Sequence, residues 1–449
     1  MHSDVTLSSN IDTTWPVVKL GSIATKIRSG ATPRGGAESY LPTRERYVLV
    51  RSQNVLDHRF TSVGLANISV DQAKDLAGAE LLAGDVLLNI TGDGSTFGRA
   101  CIVPPRILPA CVNQHVVLIR TDRSRCLPEY LLAWLTLSGT KSYIESFNAG
   151  GSRRAITKGH IESFDVPLPP LAVQRRIAKL ASSINARIDL LDDTSRTLEA
   201  VAQGIFQSCL VDFEPAHANA EGRESAGLDP RIARLFPSQL VGTKPDLIPK
   251  GWSRQPLDKI AEYLNGLALQ KFPPESADEF LPVIKIAQLR AGNVIGADRA
   301  SARLRSQYVV NDGDVLFSWS GSLEVEFWCG DKGALNQHLF KVTSDKVPKW
   351  FYYLATKQHL NSFREIAANK ATTMGHIQRG HLSEAIVAVP PPELMAALDR
   401  ALAPLVSRRI TNSVQARQLA SVRDEFLPEL ISGALRIEDF VHDAETASA

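Results

Sequence analysis

Apolar residues recur along the chain with two periods, and the switch between them marks its organisation. Short runs such as "VLLNI" (86–90) and "VLFSW" (315–319) follow the turn pairs Gly84-Asp85 and Gly313-Asp314, and these predict strands. The stretches 127–147 and 347–366 carry helical spacing and open near a proline, which predicts helices. Longer patterns follow the Pro-Pro pairs at 169–170 and 390–391. Ile177, Ile184, Leu191, Leu198 and Ile205 repeat every seven residues, as do Leu398, Leu405, Asn412, Leu419 and Phe426. Such heptads predict two coiled-coil helices that bury their seams against each other, each roughly 38 residues and roughly 57 Å long. Asn412 places a polar group on the second seam, fixing register at some cost in stability. Pro404 predicts that the second helix starts after it or kinks there.

Every one of these elements occurs twice. Trp15 with "LGSIA" (20–24) matches Trp252 with "LDKIA" (257–261), and "AGDVLLNITG" (83–92) matches "DGDVLFSWSG" (312–321). "CVNQHVVLIR" (111–120) then matches "ALNQHLFKVT" (334–343), and "ITKGHIESFDVPLPP" (156–170) matches "IQRGHLSEAIVAVPP" (377–391). Ordered blocks at a slowly drifting offset imply a tandem duplication. The expected fold class is therefore an α/β (α+β) tandem repeat, two globular modules each followed by a long helix. The boundaries read as module 1–165, helix 166–213, linker 214–250, module 251–388, helix 389–437 and a flexible tail 438–449. The linker is rich in Ala, Gly, Pro and charge, with one short helix expected around Ile232–Leu235.

Composition narrows the class without naming a function. The 449 residues, 44% hydrophobic and 22% charged, suit a soluble globular protein of two domains. No apolar run is long enough for a membrane span, and no secretory signal is visible at the start. Five cysteines without a C-x-x-C pair suggest reduced thiols in a cytoplasm. A net charge of +2 does not itself argue for nucleic acid. Positive charge is nevertheless concentrated locally. Residues 148–160 hold Arg153, Arg154 and Lys158 with no acid, and residues 367–381 hold Lys370 and Arg379 likewise. Such loops are either solvated surface or phosphate contacts.

Candidate chemistry is sparse. Asp85 and Asp314 sit in Gly-Asp turns, where the carboxylate bonds its own backbone, so a structural role is expected. His115 and His338 belong to the repeated Asn-Gln-His triplets. No H-x-x-x-H, H-E-x-x-H or cysteine pair supports a metal, so both are expected to mark structural corners. "GDGSTFGRA" (92–100) lacks the lysine of a phosphate-binding loop, and no methyltransferase, helicase or nuclease signature is present. The sequence reads as a binder without catalysis or cofactor of its own.

Module, long helix, linker, then the same again closely resembles the specificity subunit of type I restriction–modification systems. The most specific points are "IFQSCLVDFEP" (205–215), "GRESAGLDPRIARLFP" (222–237), "LIPKGW" (247–252) and "FLPELISGALRI" (426–437). The resemblance implies two target recognition domains, each reading half of a split double-stranded DNA site. It also implies an antiparallel helix pair that docks two modification subunits. S-adenosylmethionine would sit on those partners, and ATP with Mg on a restriction subunit where one is present. The alternative is a single-chain DNA methyltransferase or nuclease with fused recognition domains. Base reading calls for Arg or Lys at guanine and Asn or Gln at adenine. Candidates in the first module are Arg28, Thr32, Arg34, Arg51, Gln53, Asn54, Arg153, Arg154 and Lys158. In the second they are Asn265, Gln270, Lys271, Lys285, Gln288, Arg290, Lys370 and Thr372.

Overall fold

Strands that are apolar at every position prove to be strands covered on both faces. The computed structural model describes residues 15–92, 96–147, 154–242, 247–369 and 375–435. In the first repeat a four-stranded antiparallel sheet runs in the order Ala24–Ser29, Val116–Thr121, Val86–Asn89, Ala100–Ile102. Val86, Leu88, Val117 and Ile119 share a core with Tyr130 and Trp134 of the helix Pro128–Leu135. One step along each strand, Leu87 and Leu118 pack with Val48, Val50 and Val112 of a second sheet. Both faces are buried, so the alternation is invisible in composition. The second sheet orders Ala66–Ile68, Tyr47–Val50 and Ala110–Val112, the last pair parallel.

The second repeat follows the same plan. Its main sheet orders Glu262–Asn265, Leu339–Thr343, Val315–Ser318 and Val325–Phe327. Its partner sheet orders Arg299–Ser301, Phe280–Ile284 and Gly333–Leu335, with Val309–Val310 added at the edge. Val315 and Phe317 lie in one core with Trp350 and Phe351, and Leu316 lies in another with Trp328. The ends of each module are also tied together. Val17–Lys19 pairs antiparallel with Asp165–Pro167, and Ser253–Pro256 with Ile386–Val389. Those pairs adjoin the first and last blocks of the sequence repeat.

The Gly-Asp turns behave as expected. Asp85, 1% exposed, accepts the Leu82 N–H at 2.8 Å, and Asp314 accepts the Asn311 N–H at 2.8 Å. A cation from the neighbouring strand completes each turn. Arg120 grips both oxygens of Asp85 at 2.8 Å, and Lys341 reaches Asp314 at 2.7 Å. Asp85→Ala leaves the half-buried Arg120 without its partner and should cost about 3 kcal/mol. The check is the urea midpoint at unchanged slope.

The chain divides into two compact units, Met1–Arg187 with Leu419–Ala449, and Ile188–Gln418. The long helices, Leu171–Phe206 and Pro392–Ser432, contribute to both. In the first unit Ile177, Ala178 and Ala181 pack with Leu427, Leu430 and Ile431, and Arg423 donates to Asn185 Oδ1 at 2.7 Å. In the second, Ala202 and Phe206 share a core with Leu398, Leu402 and Val406. There Arg409 meets Glu199 at 2.9 Å and Glu326 at 2.8 Å. Positions rise on one helix as they fall on the other, so the pairing is antiparallel. Lys357 also binds Glu199, and lies 3.2 Å from Glu326.

Five expectations need correction or completion. The second helix runs uninterrupted through Pro404, which is exposed together with Arg400, whose carbonyl loses its partner. On an exposed face such a carbonyl is open to solvent, so the missing bond costs little. The stretch 127–147 is two helices, Pro128–Leu135 and Ser138–Ser146, because the Thr136 hydroxyl bonds back to the Leu132 carbonyl at 2.7 Å. The stretch 347–366 is likewise split into Lys349–Gln358 and Leu360–Asn369. The linker is not loose over its first part. A helix, Glu214–Glu221, and a turn of helix, Pro230–Ala233, bring Ala216 and Phe236 into the second unit's core. Asn412 does lie buried on the seam, and neither of its side-chain polar atoms has a protein partner; the buried Ser195 hydroxyl is in the same condition.

Candidate nucleic-acid interface

The repeated Asn-Gln-His triplet forms the same corner in both repeats. Asn113 Oδ1 accepts the His115 N–H at 3.0 Å, and Asn336 Oδ1 accepts the His338 N–H at 3.2 Å. The Asn N–H groups donate to the carbonyls of Val50 at 3.0 Å and Ile284 at 3.3 Å, tying the corner to the adjacent strand. The imidazoles are then held from both sides. His115 Nδ1 lies 2.6 Å from the Thr91 hydroxyl and Nε2 lies 3.1 Å from the Gln114 amide. His338 repeats this with Ser320 at 3.1 Å and Gln337 at 3.3 Å. An amide nitrogen only donates, so Nε2 accepts and Nδ1 carries the proton toward the hydroxyl.

Two further chain segments close on each corner. Gly30 donates to the Asn113 carbonyl at 3.1 Å, and a Cβ on Gly30 would sit 1.5 Å from the Val112 oxygen. At Gly266 a Cβ would sit 2.2 Å from the Asn336 oxygen. Only glycine permits these approaches. On the other side Thr91 pairs with Ala155 and Gly92 with Arg154, while Ser320 bridges to His376. Arg154–Ala155 and His376, described parts of the two basic stretches, therefore return to the corner.

Three separate groups of predicted residues thus meet. In the first unit they are Arg28, Thr32 and Arg34 flanking Gly30, then Arg51, Gln53 and Asn54 after the Tyr47–Val50 strand, then Arg154. Arg28, Thr32, Arg34 and Gln53 are exposed. Thr32 donates to Gln114 Oε1, and Gln53 donates to the Gly64 carbonyl at 3.1 Å. Arg51 also bonds that carbonyl and stacks over Tyr40, and Arg154 pairs with Glu145. Lys158 opens a short helix and pairs with Glu162 at 3.2 Å. In the second unit Gln270, Lys271, Lys285 and Arg290 are exposed, and Lys285 pairs with Asp298. Gln270, Lys285, Arg299, Gln337 and His338 line a groove of about 860 Å³. Arg153, Lys370 and Thr372 lie outside the described residues.

One candidate is spent on the fold, and two more are partly engaged by it. Asn54 is 0% exposed. Its Oδ1 accepts the Arg51 N–H, and its amide donates to the Thr61 and Val63 carbonyls, each at about 3 Å. No atom is left for a base, so Asn54 shapes the loop. Gln288 caps its helix by accepting the Lys285 N–H at 3.3 Å. Asn265 gives its oxygen to Trp319 Nε1 at 2.9 Å and keeps only its amide.

Residues 12–200 and 249–394 match the profile of the type I restriction modification DNA specificity domain. The chain belongs to this family. The HindI specificity subunit of Haemophilus influenzae is 22% identical over 439 residues, covering 86% of this chain and 94% of that one. The MjaIX specificity subunit of Methanocaldococcus jannaschii is 21% identical over 432 residues, covering 95% and 94%. The crystal structure of a type I specificity subunit from M. genitalium superposes with a TM-score of 0.52 at 12% identity, covering 96% of this chain and 99% of the other. That structural likeness supports the fold.

For a member of the DNA specificity family, the corner holds residues that the base-reading search passed over. Gln114 is exposed and Gln337 half-buried, and Thr91 and Ser320 set the imidazoles that hold them. The signal was present, since the triplet recurs. Its partners lie 24 and 18 residues away, and only the fold joins them. Among the described residues, no group of three or more His, Cys, Asp or Glu is arranged to hold a metal ion.

Proposed function

We propose that this chain is the non-catalytic DNA-recognition subunit of a type I modification and restriction complex. Each repeat reads one half of an asymmetric, split duplex site. In this reading residues 1–165 and 251–388 are the readers, 166–213 and 389–437 the helices, 214–250 the connection and 438–449 a tail. One observation carries it: in the first repeat three stretches bearing Arg and Gln come together at the corner, and in the second the stretches bearing Gln270 and Lys285 adjoin the matching corner. Phosphate contacts from the exposed cations position such a protein, and the amides and guanidinium groups beside them read base edges. The side chains around the corner differ between repeats, so the two half-sites differ. The chain works in the cytoplasm beside two modification subunits that hold S-adenosylmethionine. A restriction subunit using ATP and Mg joins where the system has one. No described helix is long and apolar enough to cross a membrane.

The test compares the pure chain with the chain assembled with its modification subunits, using labelled S-adenosylmethionine and host DNA. Methyl transfer is expected only from the assembly, and mapping the modified bases should return one motif split by an unread spacer. Transfer by the isolated chain, or a continuous motif, would reject the proposal.

A further inference from the structure

We infer that Gln114 and Gln337 are base-reading residues, each presenting its carboxamide to an adenine in the major groove. This rests on the reading of the chain as a DNA-recognition subunit.

The argument starts from hydrogen-bond capacity. A glutamine amide has two N–H donors and an oxygen with two lone pairs. In the first repeat His115 Nε2 takes one donor, and the Thr32 hydroxyl takes one lone pair. One N–H and one lone pair remain on an exposed group. That is the complement of adenine's N7 acceptor and N6 donor. In the second repeat His338 takes one donor of Gln337, on the wall of the groove that also holds Gln270 and Lys285. The imidazole also holds the amide in place. A flip of the amide together with the other imidazole tautomer would exchange donor and acceptor, and either arrangement leaves one of each for a base. A free surface glutamine would have to lose its rotamer freedom on binding, whereas this one is held in advance.

Duplication supplies the second, independent support. The residues around the corner have diverged: Arg28 and Arg34 beside Gly30 are matched by Leu264 and Gln270 beside Gly266. The brace has not. Gln, His, the hydroxyl partner and the close-approach glycine are present in both. A constellation kept while its surroundings change reads something common to both half-sites. One adenine in each half-site satisfies that requirement.

The test uses the full chain assembled with its modification subunits. Wild type first yields the methylated motif by sequencing of host DNA. Binding is then measured on duplexes varied one base pair at a time. Gln114→Ala should relax a single A·T position in one half-site, with discrimination there falling about 5- to 150-fold. Gln337→Ala should do the same in the other half-site. Gln114→Glu should shift that position toward cytosine, whose N4 amine donates to a carboxylate. Both side chains lie at the surface end of the corner, and thermal melting of each assembly confirms that it is folded. Unchanged discrimination in both alanine variants would overturn the inference, provided wild type is specific. Uniform weakening across all sequences with a shallower salt dependence would overturn it too, by making these phosphate contacts. A wild-type assembly without sequence preference would instead sink the parent reading.

Discussion

Gly30→Ala should abolish specific binding of the assembled complex to its target, a loss of about 100-fold or more. The added Cβ would lie 1.5 Å from the Val112 oxygen, a backbone atom held in a strand that cannot swing aside. The chain after Gly30 must then move, and Thr32 leaves Gln114 with it. Stability should also drop by about 3 kcal/mol. Valine should be little worse than alanine, because the first carbon already makes the clash. Gly139→Ala is the control: its Cβ would meet nothing within 4 Å, and it lies in a helix where alanine is favoured. Anisotropy on the target duplex and a urea curve on the same preparation measure both effects. Full binding by Gly30→Ala would mean that the corner does not contact DNA.

Arg409→Ala should destabilise the second unit by about 3 kcal/mol at neutral pH. Burial pushes the Glu199 carboxyl up, but Arg409 and Lys357 together hold it below the usual carboxylate range. A depressed folded pKa stabilises the protein above the unfolded value, and that contribution disappears as pH falls through the folded pKa. Without Arg409 the largest attraction opposing burial is gone, so the Glu199 carboxyl rises and less of that contribution remains. The difference between variant and wild type should therefore shrink as pH falls below the ordinary glutamate value of 4.5, through the lowered folded pKa. Urea denaturation across that range, read by tryptophan fluorescence, checks the sign. A gap that is constant or widens in acid would mean that Lys357 alone governs the carboxylate.

How much could be read without the structure varies with the element. The duplication was legible because turn pairs and triplets recur in order. The long helices were legible through one seam position per heptad, where Ile and Leu dominate. The other seam position was not, because Ala181, Ser195, Ala202 and Ala416 are small or polar and give no periodic signal, yet all are buried. The packing of residues 214–236 was hidden for a related reason. Its Ala and Pro content reads as linker, while Ala216 and Ala218 are wholly buried, their helix packing on Gln207–Val211 and Pro230–Ala233. At the candidate interface, residue type alone offered many surface cations and amides. It could not separate Asn54, held by Arg51, Thr61 and Val63 in a buried loop, from exposed Gln114, which keeps one donor and one acceptor position. That distinction depends on hydrogen-bond partners, and most of those are set by tertiary structure.

The matched sheet orders of the two repeats carry a consequence for heredity. Two identical copies of one such body, paired by symmetry, would be confined to palindromic targets, because any substitution would appear in both halves at once. Placing both copies in a single polypeptide removes that confinement. In the proposed reading, a codon change beside one corner would rewrite one word of the target and leave the other intact. Exchange of one repeat between two genes creates a new combination in a single recombination event. The stock of possible addresses then grows as the product of the two word lists rather than as their sum.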